Sequence, residues 1–286
     1  MVLFGRVATA MVTPFDNKGN IDFSKVTKLV NYLIDNGTDS LVVSGTTGES
    51  PTLTKEEKIA LFKHVVKVVD KRIPVIAGTG SYDTYSSIEL TKKAEEAGVD
   101  GIMLVAPYYN KPNQEGLYQH FKAIAEATAL PVMLYNIPGR SVVNINPETV
   151  IRLAEDVPNI VAVKEASGNL NNITKIIANT NDDFLVYSGD DSMTLPILAV
   201  GGTGVVSVAS HIIGPEMQKM IKSFLEGNYT EAAKLHQYLL PIMEGLFKAP
   251  SPVPVKTALQ MKGLDVGSVR LPLVPLNEKE RSELQN

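Results

Sequence analysis

The chain has 286 residues, and 27 Lys and Arg against 31 Asp and Glu leave a net charge of −4. A composition of 44% hydrophobic and 20% charged residues is that of a folded globular protein and excludes a disordered chain. Scattered basic residues argue against a nucleic-acid partner, which needs clustered Lys and Arg for phosphate, and the absence of any cysteine excludes disulfides, thiolate catalysis, zinc ribbons and iron–sulfur clusters.

Zero cysteine also fits a reducing cytoplasm. At the N-terminus Arg6 lies behind a very short apolar run, the reverse of the order a signal peptide needs. Eight short apolar, β-branched runs follow in chain order: Val7–Val12, Ser40–Val43, Pro74–Ala77, Gly101–Ala106, Pro131–Tyr135, Ile160–Lys164, Phe184–Tyr187 and Gly204–Val208. With little polar alternation they read as strands buried on both faces, as in a parallel sheet. Helical patterns lie between them. Thr54 with Glu57 predicts a capping box, and Ser86 to Ala97 places Ile88, Leu90, Thr91 and Ala94 on one face, with Gly98 as the stop.

Strands alternating with helices predict an α/β fold, a (β/α)8 barrel, whose usual length is about 200–250 residues. A doubly wound open sheet is the alternative. Eight evenly sized units favour the barrel, and Gly78-Thr-Gly80 lacks the third glycine of a dinucleotide fingerprint. The segment from Ser192 to Pro215 has no Asp, Glu, Lys or Arg, but Pro196, Gly201, Gly202, Gly204 and His211 make it a buried helix–turn–strand rather than a membrane span.

Past Gly214 the strand pattern stops. Glu216–Leu225, Thr230–Phe247 and Val253–Met261 read as helices, and the charged end from Asn277 to Asn286 reads as frayed. The expected organisation is a catalytic barrel over residues 1–225 and a C-terminal helical segment over 226–286 that packs on the barrel wall or supports a subunit interface.

Barrel enzymes carry their chemistry at the C-terminal ends of the strands. There Lys164 closes Ile160-Val-Ala-Val163, and Tyr135 closes the preceding strand. Burial disfavours the charged form of a lysine, and a neutral amine is what attacks a carbonyl. Lys164 is therefore a Schiff-base candidate, with an ion pair to Glu165 or Asp190 as the equal alternative. Adjacent strands lie about 4.8 Å apart, so the Tyr135 phenol could move protons at that amine; the plain alternative is a structural core tyrosine. Thr46 and Thr47, between Gly45 and Gly48, form a turn whose backbone N–H groups suit a carboxylate, or an ordinary glycine-rich turn. Arg140, after the fifth strand, suits bidentate capture of a carboxylate, or is a solvated loop residue. No G-x-S-x-G elbow, P-loop or H-E-x-x-H is present, no histidines stand at ligand spacing, and Asp190-Asp191 is a weak metal candidate.

Four motifs stand in order: Gly45-Thr-Thr-Gly-Glu-Ser50, Tyr108-Tyr-Asn-Lys-Pro112, Tyr135-Asn-Ile-Pro-Gly-Arg140 and Val163-Lys-Glu-Ala-Ser-Gly168. Together, over nearly the whole chain, they resemble the dihydrodipicolinate synthase family. The resemblance implies a (β/α)8 barrel with a C-terminal helical part, a homotetramer built as a dimer of tight dimers, and condensation of pyruvate with L-aspartate 4-semialdehyde on the route to diaminopimelate and lysine. It implies that Lys164 forms the Schiff base and that Tyr135 exchanges protons through Thr46 with Tyr109, the last supplied across the dimer. Thr47 and Val206 would hold pyruvate, and Arg140 would receive the semialdehyde carboxylate. No metal, organic cofactor, nucleic acid or membrane is implied.

The wider superfamily includes N-acetylneuraminate lyase and 2-keto-3-deoxy sugar-acid aldolases, which share the lysine and tyrosine; Arg140 and the Tyr108-Tyr109-Asn110 run favour the synthase. A catalytically silent binding barrel is the alternative of another class. Where lysine-inhibited members carry His, Asn and Glu, this chain has Lys55, Lys58, Tyr82 and Ser86, which implies weak or absent lysine feedback.

Overall fold

The computed structural model describes residues 2–285. Eight parallel strands, β1 Val7–Ala10, β2 Ser40–Val43, β3 Val75–Gly78, β4 Gly101–Val105, β5 Val132–Asn136, β6 Ile160–Glu165, β7 Leu185–Ser188 and β8 Gly204–Ser207, follow chain order in a closed barrel. Each falls within two residues of its predicted run at either end. The strands are buried almost without interruption. Apolar runs without alternation fit that setting because both faces of such a strand are covered.

Helices α1 Phe23–Asp35, α2 Lys55–Val69, α3 Thr84–Glu96, α4 Gln114–Ala125, α5 Pro138–Ser141, α6 Pro147–Asp156, α7 Leu170–Ala178 and α8 Thr194–Ala199 separate successive strands. They are followed by α9 Ser210–Leu225, α10 Tyr229–Gly245, α11 Val253–Met261 and α12 Glu278–Gln285. The capping box of α2 is formed in full, with Thr54 Oγ1 accepting from Glu57 N at 3.1 Å and Glu57 Oε2 accepting from Thr54 N at 2.9 Å. Helix α3 begins two residues ahead of its predicted start because Asp83 caps it, accepting from the amides of Tyr85 and Ser86.

Two readings of the tail are corrected. Helix α9 begins at Ser210 rather than Glu216: the Ser207 hydroxyl accepts from Ser210 N at 2.8 Å and starts a turn that bends at Ile213, ahead of Pro215. The charged end is helical over Glu278–Gln285, because Asn277 and Glu280 exchange reciprocal side chain-to-backbone bonds of 2.9 Å at its start. Asn286 lies outside the described residues. No helix among the described residues is long and apolar enough to cross a membrane.

The chain divides into two compact units, Met1–Val75 with Ser207–Asn286, and Ile76–Val206. In the first, α1 packs on α2, and α9 packs on β1, α10 and α11. In the second, β4 to β7 pair in sequence while α3, α4, α6 and α7 pack side by side.

Candidate active site

Strands β5 and β6 pair so that Tyr135 stands opposite Lys164 and Asn136 opposite Glu165. Successive residues on a strand face opposite sides. The Tyr135–Lys164 pair therefore shares one face and the Asn136–Glu165 pair the other. Lys164 is 5% exposed and Tyr135 3%, and the Lys164 Nζ lies over the Tyr135 ring, 4.0 Å from its centroid.

The carboxylates that might have claimed this ammonium are engaged elsewhere. Glu165 accepts from Asn136 Nδ2 at 2.8 Å and from Ser167 Oγ at 2.6 Å. Burial pushes its carboxyl above the usual range, against the Ser167 and Asn136 bonds that favour its charged form. Asp190 accepts from the amide and hydroxyl of Ser192. Among the described residues no group of three or more His, Cys, Asp or Glu could hold a metal.

Arg140 sits on the four-residue helix α5, not on an open loop, and is exposed. The returning segment is held from the far face of β5: Asn136 Nδ2 donates to Asn144 Oδ1 at 2.9 Å, and Asn136 Oδ1 accepts from Ile145 N at 3.0 Å. Glu165 thus steadies Asn136, and Asn136 grips the end of the segment that carries Arg140. Sequence reading weighed Glu165 only as an ion-pair partner for Lys164 and gave Asn136 no role.

It also passed over Gly189. A Cβ there would come within 2.7 Å of the Ala166 Cβ and 3.0 Å of the Lys164 Cε, so the lysine stem lies against a position that has room for no side chain. The signal was a glycine directly after β7. Val206 is buried on β8 at 1% exposure.

Tyr109 lies in the segment between β4 and α4 with φ +70° and is 92% exposed. A non-glycine residue in the left-handed region is strained and marks a site where surroundings or function hold it there. Its neighbour Tyr108 packs edge-on to Tyr82, with ring centroids 5.3 Å apart.

In the other unit, Thr46 and Thr47 lie on a tight turn after β2, with Thr47 buried. The turn's own bonds run from Gly48 N and Ser50 N to Gly45 O and from Glu49 N to Thr46 O. The Thr46 and Thr47 amides stand outside that set, the arrangement that lets a turn accept an anion. Thr13 Oγ1 fixes the turn further by donating to Gly48 O at 2.7 Å.

The Dihydrodipicolinate synthetase family model matches residues 3–286. A curated relative, 4-hydroxy-tetrahydrodipicolinate synthase of Bacillus subtilis, is 70% identical over 283 residues, covering 99% of this chain and 98% of the relative. Among solved structures, a dihydrodipicolinate synthase from Bacillus anthracis superposes with a TM-score of 0.98 at 68% identity, over 100% of this chain and 97% of that one. The chloride-inhibited dihydrodipicolinate synthase from Acinetobacter baumannii, complexed with pyruvate, has a TM-score of 0.95 at 42% identity, over 99% and 97% of the two chains.

Proposed function

The chain belongs to the dihydrodipicolinate synthetase family, and we propose on that premise that it joins pyruvate to L-aspartate 4-semialdehyde through a Schiff base on Lys164. The function is that of a 4-hydroxy-tetrahydrodipicolinate synthase, a lyase-type enzyme of diaminopimelate and lysine biosynthesis. The observation that carries the residue assignment is the buried Lys164 Nζ held 4.0 Å from the Tyr135 ring at paired strand ends.

The neutral Lys164 amine attacks the keto carbon of pyruvate, giving a carbinolamine that loses water to form an iminium. The iminium is an electron sink, so a methyl proton leaves and the resulting enamine carbon attacks the aldehyde of the second substrate. The aldehyde oxygen takes up a proton as the carbon–carbon bond forms. The semialdehyde amine then closes the ring on the iminium carbon and expels the Lys164 amine. Each stage moves a proton at a water-poor site, the role proposed for the Tyr135 phenol with Thr46 and Tyr109 as relay. Thr47 and Val206 hold pyruvate, and the exposed Arg140 guanidinium receives the semialdehyde carboxylate bidentately. The sequence calls for no metal or organic cofactor.

The exposure and left-handed backbone of Tyr109 support its use by a second copy of the chain, in a tetramer built from tight dimers. Residues 1–225 carry the chemistry and 226–286 support it, in the cytoplasm. A pyruvate-dependent sugar-acid aldolase is the competing reading, and Arg140 weighs against it because a neutral polyol tail offers a guanidinium no carboxylate. Turnover of purified enzyme with pyruvate and L-aspartate 4-semialdehyde, beside cleavage of N-acetylneuraminate and 2-keto-3-deoxygluconate, decides between them. Condensation with the semialdehyde alone is expected; cleavage of either sugar acid at a comparable kcat/KM overturns the reading.

A further inference from the structure

The C-terminal segment reaches back to the Thr46–Thr47 turn through the Lys256 ammonium and the Arg270 backbone amide. Glu49, the last residue of that turn, adopts φ +56° and ψ 35°, a left-handed conformation that a glutamate takes only when its surroundings hold it. What holds it comes from beyond residue 250. The Lys256 Nζ on α11 pairs with Glu49 Oε1 at 2.7 Å, with side-chain exposures of 3% and 1%. The Arg270 amide donates to Glu49 Oε2 at 2.9 Å.

Both cations are themselves fixed. Lys256 Nζ also donates to Ser268 O at 2.8 Å and lies 4.2 Å from the Phe15 ring centroid. The Arg270 guanidinium donates to Gly19 O, to Thr52 O and to Glu57, and stacks on the same ring. Gly267 lets this stretch press against the backbone after β1: with φ +71°, its missing Cβ would fall 1.9 Å from Phe15 O, and Phe15 N donates to Val266 O at 3.1 Å. The approach is therefore built into the chain.

A buried ion pair adds little net stability compared with apolar residues of the same shape, and its better-attested use is to specify one arrangement. Here the arrangement specified is the turn whose Thr46 and Thr47 amides are left out of its own hydrogen bonding. We propose that Lys256 and Arg270 are positioning residues which, through Glu49, set the Thr46–Thr47 turn for the pyruvate carboxylate. The C-terminal segment then tunes affinity for the first substrate without touching it. This rests on the reading of that turn as the pyruvate site.

The test is half-saturation by pyruvate of the borohydride-trapped adduct, read by intact mass on the full-length wild type and on Lys256→Met, with steady-state KM for both substrates. Lys256→Met keeps the length of the stem and removes the charge. The expected result is at least a tenfold rise in the pyruvate concentration for half-trapping, with the semialdehyde KM within about twofold of wild type. If the single variant does not fold, the Glu49→Gln/Lys256→Met double variant leaves no unpaired buried charge and is read in the same way. Half-saturation equal to wild type in a folded variant, with only the melting temperature lowered, overturns the positioning role. A wild type that traps no pyruvate overturns the reading of the turn together with the role built on it.

Discussion

Lys164 and Tyr135 are register partners on adjacent parallel strands, and the lysine nitrogen lies 4.0 Å from the tyrosine ring centroid with both side chains buried. A lysine this enclosed normally has a carboxylate partner. The adjacent carboxylate, Glu165, faces away and is taken by Asn136 and Ser167. The Lys164 nitrogen lies instead against the π face of Tyr135.

The role proposed for Arg140 separates recognition of the second substrate from chemistry at the lysine. It is exposed on a single helical turn, so Arg140→Ala should leave thermal stability within about 0.5 kcal/mol of wild type. A charge-assisted hydrogen bond contributes about 1.5–3 kcal/mol, roughly ten- to a hundredfold in binding. The semialdehyde KM should rise by that factor while pyruvate trapping stays unchanged. Arg140→Lys should recover only part of the loss, since an ammonium cannot present the two-pronged fork. Parallel KM measurements for the two substrates check this.

Lysine should inhibit weakly or not at all. The family resemblance puts cationic Lys55 and Lys58 at the positions expected to meet lysine, and the Ser86 hydroxyl is already bonded to Asp83. Initial rates at several millimolar L-lysine should stay within about twofold of the uninhibited rate, given that like charges disfavour the ligand's ammonium. Strong inhibition in the low-millimolar range would contradict this.

Acid should destabilise the fold through His211. Its ring is fully buried, with Nε2 accepting from Val12 N at 3.2 Å and Nδ1 2.8 Å from Val208 O, so the neutral tautomer carries its proton on Nδ1. Burial lowers its pKa from 6.5 to about 4, although the Val208 bond works the other way. Between those values the unfolded chain binds a proton that the folded chain refuses. Stability is therefore full above the unfolded pKa and falls as pH drops from 6.5 toward 4, by about 3 kcal/mol in all. His211→Gln starts less stable at neutral pH but should show a flatter decline over that window in chemical denaturation.

The eight strands and most helices were readable because burial on both faces leaves an uninterrupted apolar run, and because caps such as Thr54 with Glu57 are local. What escaped depended on distant partners. Helix α5 has four residues, too few for any period to register. The start of α9 was masked by Pro215 and by a Ser207 hydroxyl that reveals itself only once the turn is made. At the site, Lys164 and Tyr135 stood out by chemistry and position, whereas Asn136 and Glu165 acquire their part from strand register, and Gly189 from the lysine stem beside it. Arg270 and Glu49 lie 221 residues apart, beyond any local signal.

The proposed mechanism turns on Lys164 as the residue that bonds pyruvate. Intact mass spectrometry after incubation with pyruvate and borohydride, on wild type and Lys164→Ala, tests it directly. Wild type should gain the mass of one reduced pyruvyl group per chain, located by peptide mapping on Lys164, and the variant should gain none. A wild type without adduct, or a variant that traps pyruvate as readily, would contradict the mechanism.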